Sequence, residues 1–170
     1  MKLTSVEAIV GALNAAGVRY LVAGGLAVNA HGYLRFTKDV DLVLSLDRDN
    51  ILRALTALSA LGYAPTIPVT AEQFADPKVR RSWIQEKNMR VFQLWSDHHR
   101  ETPIDLFVEE PFDFIEEDSQ ALVKQLSGAG EVRFVSLRSL IRMKETADRP
   151  QDRIDVEHLR MRLEGDAETT

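Results

Sequence analysis

The sequence predicts an α/β (α+β) fold, a small mixed β-sheet flanked by helices in one domain over residues 1–170. Three observations carry this expectation. Helix-like stretches stand before, between and after short apolar, β-prone runs, the pattern of an α/β layer. No internal repeat, low-complexity tract or linker divides the chain. A length of 170 residues suits a single domain with a proper core.

The elements follow in order. Thr4 and Glu7 read as a capping box, Val6, Ile9, Val10 and Leu13 recur at helical spacing, and Gly17 ends the helix. Residues 19–23 form a strand, which Gly24-Gly25 breaks before a short helix. Residues 39–45 form the next strand. Asp47 caps a helix carrying Ile51, Leu52, Leu55, Leu58 and Leu61, closed by Gly62. Residues 63–85 hold Pro65, Pro68 and Pro77 and read as loop with one or two short helices. Residues 89–95 alternate as a strand and pair with the apolar run around Ile104-Asp105-Leu106, across a polar turn over 96–101. Residues 111–127 start helical and then turn to strand, with Glu116-Glu117-Asp118 as a solvated face. A strand over 131–135 leads to Ser136, the cap of a helix to Ala147. Pro150 opens a last helix to Leu163, and 165–170 form a frayed tail.

Composition narrows the chemistry. Apolar content of 45% and charged content of 28% are those of an ordinary globular protein. The chain has no cysteine, which removes disulfides, zinc–thiolate sites and thiol catalysis. The N-terminal residues open an amphipathic helix, not a signal peptide, and no apolar run approaches membrane-spanning length. A cytoplasmic location is the expectation. The net charge of −5 argues against indiscriminate binding to long nucleic acid.

The most informative residues are Asp39 and Asp41, one apart at the head of a β-prone run. Residues i and i+2 of a strand share a face, so the two carboxylates point out side by side. Like charges so placed repel, and burying them is costly without a cation. Mg²⁺ takes such oxygen ligands, commonly one or two carboxylates with substrate phosphates. Upstream, a glycine pair at a strand-to-helix junction lets backbone N–H groups approach a phosphate, aided by the helix N-terminus. Arg35, Thr37 and Lys38 lie between as phosphate-contacting groups. A phosphate cradle followed by metal carboxylates is the order that a nucleoside triphosphate site needs. The histidines carry less: His98-His99 sit in a loop, His31 serves either packing or substrate, and His158 shares a helix face with Asp155 without partner helices.

Gly24-Gly25, a short helix and Arg35-Phe36-Thr37-Lys38-Asp39-Val40-Asp41-Leu42 together resemble the signature of the DNA polymerase β-type nucleotidyltransferase superfamily. The resemblance implies a third carboxylate on a neighbouring strand, for which Asp105 is the candidate. A second block, from Leu140 to Leu159, is similar to that of small bacterial nucleotidyltransferases, including the abortive-infection toxin type. Their pattern is Lys-x-x-Ala, Arg, then Lys-Asp-x-x-Asp-x-x-x-Leu. Lys144, Ala147, Arg149, Asp152, Asp155 and Leu159 occupy it, with Gln151 in the place of the lysine.

The resemblance implies a nucleotidyltransferase fold with its core over about 19–108. A C-terminal helical part over about 136–164 would cover the site. It also implies a Mg²⁺-dependent enzyme, with Mn²⁺ as a substitute, moving a nucleoside monophosphate from an NTP to a hydroxyl acceptor. Asp39, Asp41 and Asp105 would hold metal, and Gly24 and Gly25 the phosphates. Arg35 and Lys144 would offset charge on the leaving pyrophosphate, Lys144 as an exposed and mobile cation. Asp152 and Asp155 would either orient Lys144 or bind the nucleobase end. Three readings compete: a toxin acting on tRNA or protein and paired with an antitoxin, a small-molecule antibiotic-modifying enzyme, and a non-catalytic nucleotide-binding module. The presence of all three carboxylates weighs against the last.

Overall fold

A computed structural model describes the backbone of residues 1–168 and the side-chain surroundings of residues 1–165. The order is α1 (Leu3–Ala15), β1 (Tyr20–Val22), α2 (Gly24–Ala30), β2 (Val40–Leu44), α3 (Arg48–Ala60), β3 (Tyr63–Pro65), α4 (Ala71–Ala75), α5 (Pro77–Lys87), β4 (Val91–Ser96), β5 (Ile104–Phe107), α6 (Phe114–Ser119), β6 (Leu122–Leu126), β7 (Gly130–Phe134), α7 (Leu137–Ala147) and α8 (Pro150–Glu168). The strands form one seven-stranded mixed sheet in the order β3-β4-β5-β2-β1-β7-β6. The mixed α/β architecture is the one expected.

Strands β2 and β5 lie at the centre of the sheet as parallel neighbours, with Asp41 opposite Asp105. A parallel pair needs a long crossover, and α3 through β4 supplies it. The flanking pairs β1–β2 and β4–β5 are antiparallel. Leu42, Val43 and Leu44 are fully buried, so β2 reads as a continuous apolar run, as a strand covered on both faces should. On one side Ile9 and Leu13 of α1 meet Ile51 and Leu58 of α3 in the core. Burying each such side chain contributes about 1.5–3 kcal/mol. Further along, Phe74, Trp83 and Phe92 stack on one another and anchor α4 and α5 beside β4.

Several local expectations hold. Asp47 accepts from the Asn50 amide as the α3 cap, and Ser136 accepts from Ser139 at the head of α7. Gly17 takes φ +62 beyond the end of α1.

Others need correction. The N-cap of α1 is Lys2, with no side-chain cap, so Thr4 already lies inside the helix and forms no capping box. Residues 63–85 contain a strand, β3, which pairs with β4 and ends in Pro65 at the sheet edge, where a missing N–H is tolerated. The one or two short helices expected in that stretch are α4 and α5, with Pro77 in the first turn of α5. Glu117 is not on a solvated face. It is buried, accepting from the Ser136 amide at 2.6 Å and the Ser139 hydroxyl at 2.5 Å, and so ties α6 to the start of α7. Asp118 pairs with Arg133. Helix α8 continues to Glu168, past the expected stop at Leu163 and through the first part of the expected tail; Thr169 and Thr170 lie outside the described residues.

Candidate active site

The cleft that holds the predicted residues opens above the centre of the sheet, with a volume near 1290 Å³. Its floor carries Asp39, Asp41 and Asp105, one wall is formed by α7 and the start of α8, and the other by the segment after β5. Asp41 projects from β2, while Asp39 sits on the bend just before the strand and is half-buried. The Thr37 hydroxyl donates to the Asp39 carboxylate at 3.5 Å. Asp105 accepts from Gln93, its cross-strand neighbour on β4, at 3.1 Å.

Burial pushes the Asp41 carboxyl up to about 7, helped by the charges of Asp39 and Asp105 and opposed by Lys144 and Arg149. Burial also raises Asp105, with Asp39 adding to it and Gln93 and Arg149 opposing it. Acids held up by burial and by neighbouring negative charge, as Asp41 and Asp105 are, gain from a cation. Among the described residues no three acids or imidazoles close a finished metal cage. An open row of oxygen donors fits Mg²⁺ or Mn²⁺, since Mg²⁺ keeps several waters and completes its shell with substrate phosphates.

Gly24 and Gly25 are required by what lies over them. Gly24 adopts φ +58, and a Cβ there would overlap the Asp41 carboxylate. A Cβ on Gly25 would overlap Thr37 and crowd Arg35. The pair lets the loop over 31–39 and the β2 carboxylate close down on the start of α2. With seven residues, α2 is short.

Arg35 and Lys144 were expected to face phosphate directly, and the structure places both in an ion-pair network. Arg35 forks onto Asp155 through Nε at 2.7 Å and Nη2 at 2.8 Å. Lys144 is 4% exposed, not mobile on the surface, with Nζ at 2.8 Å from Asp152 and 2.9 Å from Asp155. Arg149 binds the other side of Asp152. Gln151 donates to Asp155 at 3.0 Å, so it joins the network. Burial alone would raise both aspartates, but hydrogen bonds from Arg149 and Lys144 hold Asp152 low, and those from Arg35, Lys144 and Gln151 hold Asp155 low. The two acids therefore pair with Lys144 and Arg35. Thr37 is buried under Gly25, and Lys38 is exposed on the cleft wall.

The histidines lie elsewhere. His31 packs with Nε2 at 2.9 Å from the Val135 carbonyl, His99 lies on Ser5, and His158 stacks on Tyr33. Sequence reasoning passed over Gln93 and Arg149 as site residues. Alternation on β4 would have paired Gln93 with Asp105; the proximity of Arg149 to the β2 carboxylates needs the tertiary fold.

This fold, with paired carboxylates on neighbouring central strands, is the nucleotidyltransferase fold. The structure of the antibiotic-resistance factor ANT(2")-Ia in complex with adenylyl-2"-tobramycin is similar at 16% identity and a TM-score of 0.58, covering 92% of this chain and 86% of that one. The lincosamide antibiotic adenylyltransferase LnuA, lincomycin-bound, is similar at 14% identity and a TM-score of 0.55, covering 86% and 89%. An antigenic nucleotidyltransferase-like protein from Paracoccidioides brasiliensis is similar at 15% identity and a TM-score of 0.55, covering 92% and 74%. No protein-family model and no curated protein matches the chain. Among the described residues no helix is long and apolar enough to cross a membrane.

Proposed function

We propose that this protein is a divalent-metal-dependent nucleotidyltransferase that moves a nucleoside monophosphate from an NTP to a hydroxyl acceptor and releases pyrophosphate. The observation that carries the reading is the pairing of Asp41 with Asp105 on adjacent central strands, with Asp39 beside them and Gly24 pressed against Asp41.

Asp39 and Asp41 would hold a divalent metal and Asp105 would complete a second position; bound there, such ions would supply Lewis-acid stabilisation of the attacking and leaving oxygens. The acceptor oxygen forms a bond to the α-phosphorus while the bond from that phosphorus to the bridging oxygen breaks. The electron pair leaves with pyrophosphate, and the acceptor proton passes to Asp105 and then to water. A carboxylate whose proton affinity is raised by burial is suited to that task. Gly24, Gly25, Thr37 and Lys38 line the triphosphate side, with Arg35 and Lys144 as fixed positive charge behind it.

For the acceptor, a small hydroxyl-bearing molecule is the better supported class. The cleft volume suits a nucleotide with a small acceptor beside it, and two similar structures carry an antibiotic or its adenylyl product. The net charge of −5 fits a polyanionic tRNA less well. The toxin reading, with tRNA or protein as acceptor and an antitoxin partner, is the second.

The deciding experiment incubates the protein with each labelled NTP, Mg²⁺ and, separately, an aminoglycoside and lincosamide panel, bulk tRNA and a cell extract. Label on a small molecule, absent with Asp41→Asn, is the expected result. Label on tRNA or protein would replace the acceptor assignment. No transfer to any of them, together with no NTP binding, would remove the enzymatic reading.

A further inference from the structure

Two cations that the sequence offers to the leaving group, Arg35 and Lys144, are already engaged by carboxylates. Arg35 spends its Nε and Nη2 on Asp155. Lys144 lies between Asp152 and Asp155 with its side chain 5% exposed. Neither is placed to swing onto a ligand without abandoning a buried acid, and breaking such a pair is strongly unfavourable.

Arg149 differs in every respect that matters for ligand contact. It stands in the turn between α7 and α8, just after Asp148, whose φ of 48 reverses the chain. Its side chain is 72% exposed, whereas the carboxylate that holds it, Asp152, is 1% exposed. Asp152 grips one edge of the guanidinium, through Nε at 2.6 Å and Nη2 at 3.3 Å, and takes the Arg149 backbone amide at 3.2 Å. Nη1 has no hydrogen bond among the described residues. The residue lines the cleft together with Asp39, Asp41 and Asp105. Its charge reaches Asp41 and Asp105, and the charges of Asp41 and Asp39 reach it. A guanidinium anchored on one edge and open on the other presents a fork of donors to phosphate oxygens.

We propose that Arg149 is the side chain of the helical wall that contacts the β- and γ-phosphates of the bound nucleotide and the departing pyrophosphate, with Asp152 holding its guanidinium in place. The inference rests on the nucleotidyl-transfer reading and adds to it a binding residue outside the glycine and carboxylate motifs. Lys144, beneath it, fixes Asp152.

The probe is Mg²⁺–pyrophosphate, common to every NTP, titrated calorimetrically into the wild type, Arg149→Ala and Arg149→Lys, with Mg²⁺ alone as a second titrant. Arg149→Ala is expected to weaken pyrophosphate binding roughly 10- to 100-fold, the range for losing hydrogen bonds to a charged group. Arg149→Lys should fall between, since it keeps the charge and loses the fork. Arg149→Ala also takes one partner from the buried Asp152, which keeps Lys144, so its melting temperature should fall, whereas Arg149→Lys keeps a cation there; affinities are compared at a temperature where every variant is folded. If Arg149 is only a countercharge to the aspartates, its removal will leave pyrophosphate affinity unchanged and tighten Mg²⁺ binding instead, which overturns the proposal. A wild type that binds neither Mg²⁺–pyrophosphate nor any Mg²⁺–NTP removes the nucleotidyl-transfer reading and this one with it. Unchanged affinity in both variants beside a binding wild type removes only the role of Arg149.

Discussion

Asp41 is the residue at which fold and chemistry oppose each other most directly. Its folded-state carboxyl is pushed up to about 7, whereas an unfolded aspartate ionises near 4. Below about pH 4 both states are protonated and the residue costs nothing. Between about 4 and 7 the folded state holds a proton that the unfolded state has released, so stability falls as pH rises and the penalty is complete above 7. A shift of this size corresponds to on the order of 4 kcal/mol. Asp41→Asn should therefore gain melting temperature over the wild type progressively from pH 4 to 7, with the difference flat beyond, while nucleotide transfer is lost. A pH-independent difference would show that repulsion at Asp41 is not what is relieved. The glycines give a second test. Gly24→Ala combines a left-handed φ with overlap onto Asp41, and should cost about 1–3 kcal/mol in a denaturant titration and weaken Mg²⁺–NTP binding. Gly25→Val should displace Thr37 and Arg35 and weaken NTP binding more than Mg²⁺ binding. The acids and glycines were readable from sequence because a charged pair in an apolar strand and a Gly-Gly at a strand end both violate local preference. What they touch was not, since Thr37 over Gly25 is a tertiary approach.

At the scale of elements, α7 and α8 form one unit built around buried charge. Sequence reading expects Lys144 to be an exposed lysine whose loss leaves stability intact; burial between Asp152 and Asp155 reverses that expectation. Lys144→Ala should cost about 3–5 kcal/mol, the range for removing one partner of a buried pair, measurable by urea unfolding. A loss below about 1 kcal/mol would show that the network is solvated. Lys144 was legible as important from its motif block, but a block says nothing about burial, and helical spacing alone places a lysine in water. The same limit explains Glu117, where an acidic run looks solvated until the start of α7 is docked on it. Strand β3 escaped for another reason. It is three residues long, ends in proline and owes its existence to pairing with β4, so no local signal marks it. Strands, caps and helices with their own periodicity, such as α3 and α7, needed no such partner to be recognised.

Over the whole molecule, the cleft concentrates negative charge on the floor and positive charge on the helical wall, so ligand and fold stability are linked. Mg²⁺ with a bound NTP at about 100 times its dissociation constant should stabilise the protein by roughly 2.7 kcal/mol, a rise of several degrees in melting temperature. Mg²⁺ or nucleotide alone should give less, and Asp41→Asn should abolish the joint effect in a thermal-shift measurement. An equal rise in that variant would place the nucleotide away from the carboxylates. The mixed sheet follows from the sequence pattern, whereas its central parallel pair of β2 and β5 and the wall that α7 and the first turn of α8 give the cleft needed the tertiary fold.

That wall has a consequence for synthesis. Arg35 and Asp155 are 120 residues apart, so the loop before Asp39 finds its anchor only after α8 has left the ribosome. The strands bearing Asp41 and Asp105 are translated earlier, and at roughly 5–20 residues per second they wait some seconds for the cations of the helical wall. During that interval the nascent chain holds its acids together without the countercharge of Lys144 and Arg149. Translation order thus leaves the carboxylates without these cations until α8 has emerged.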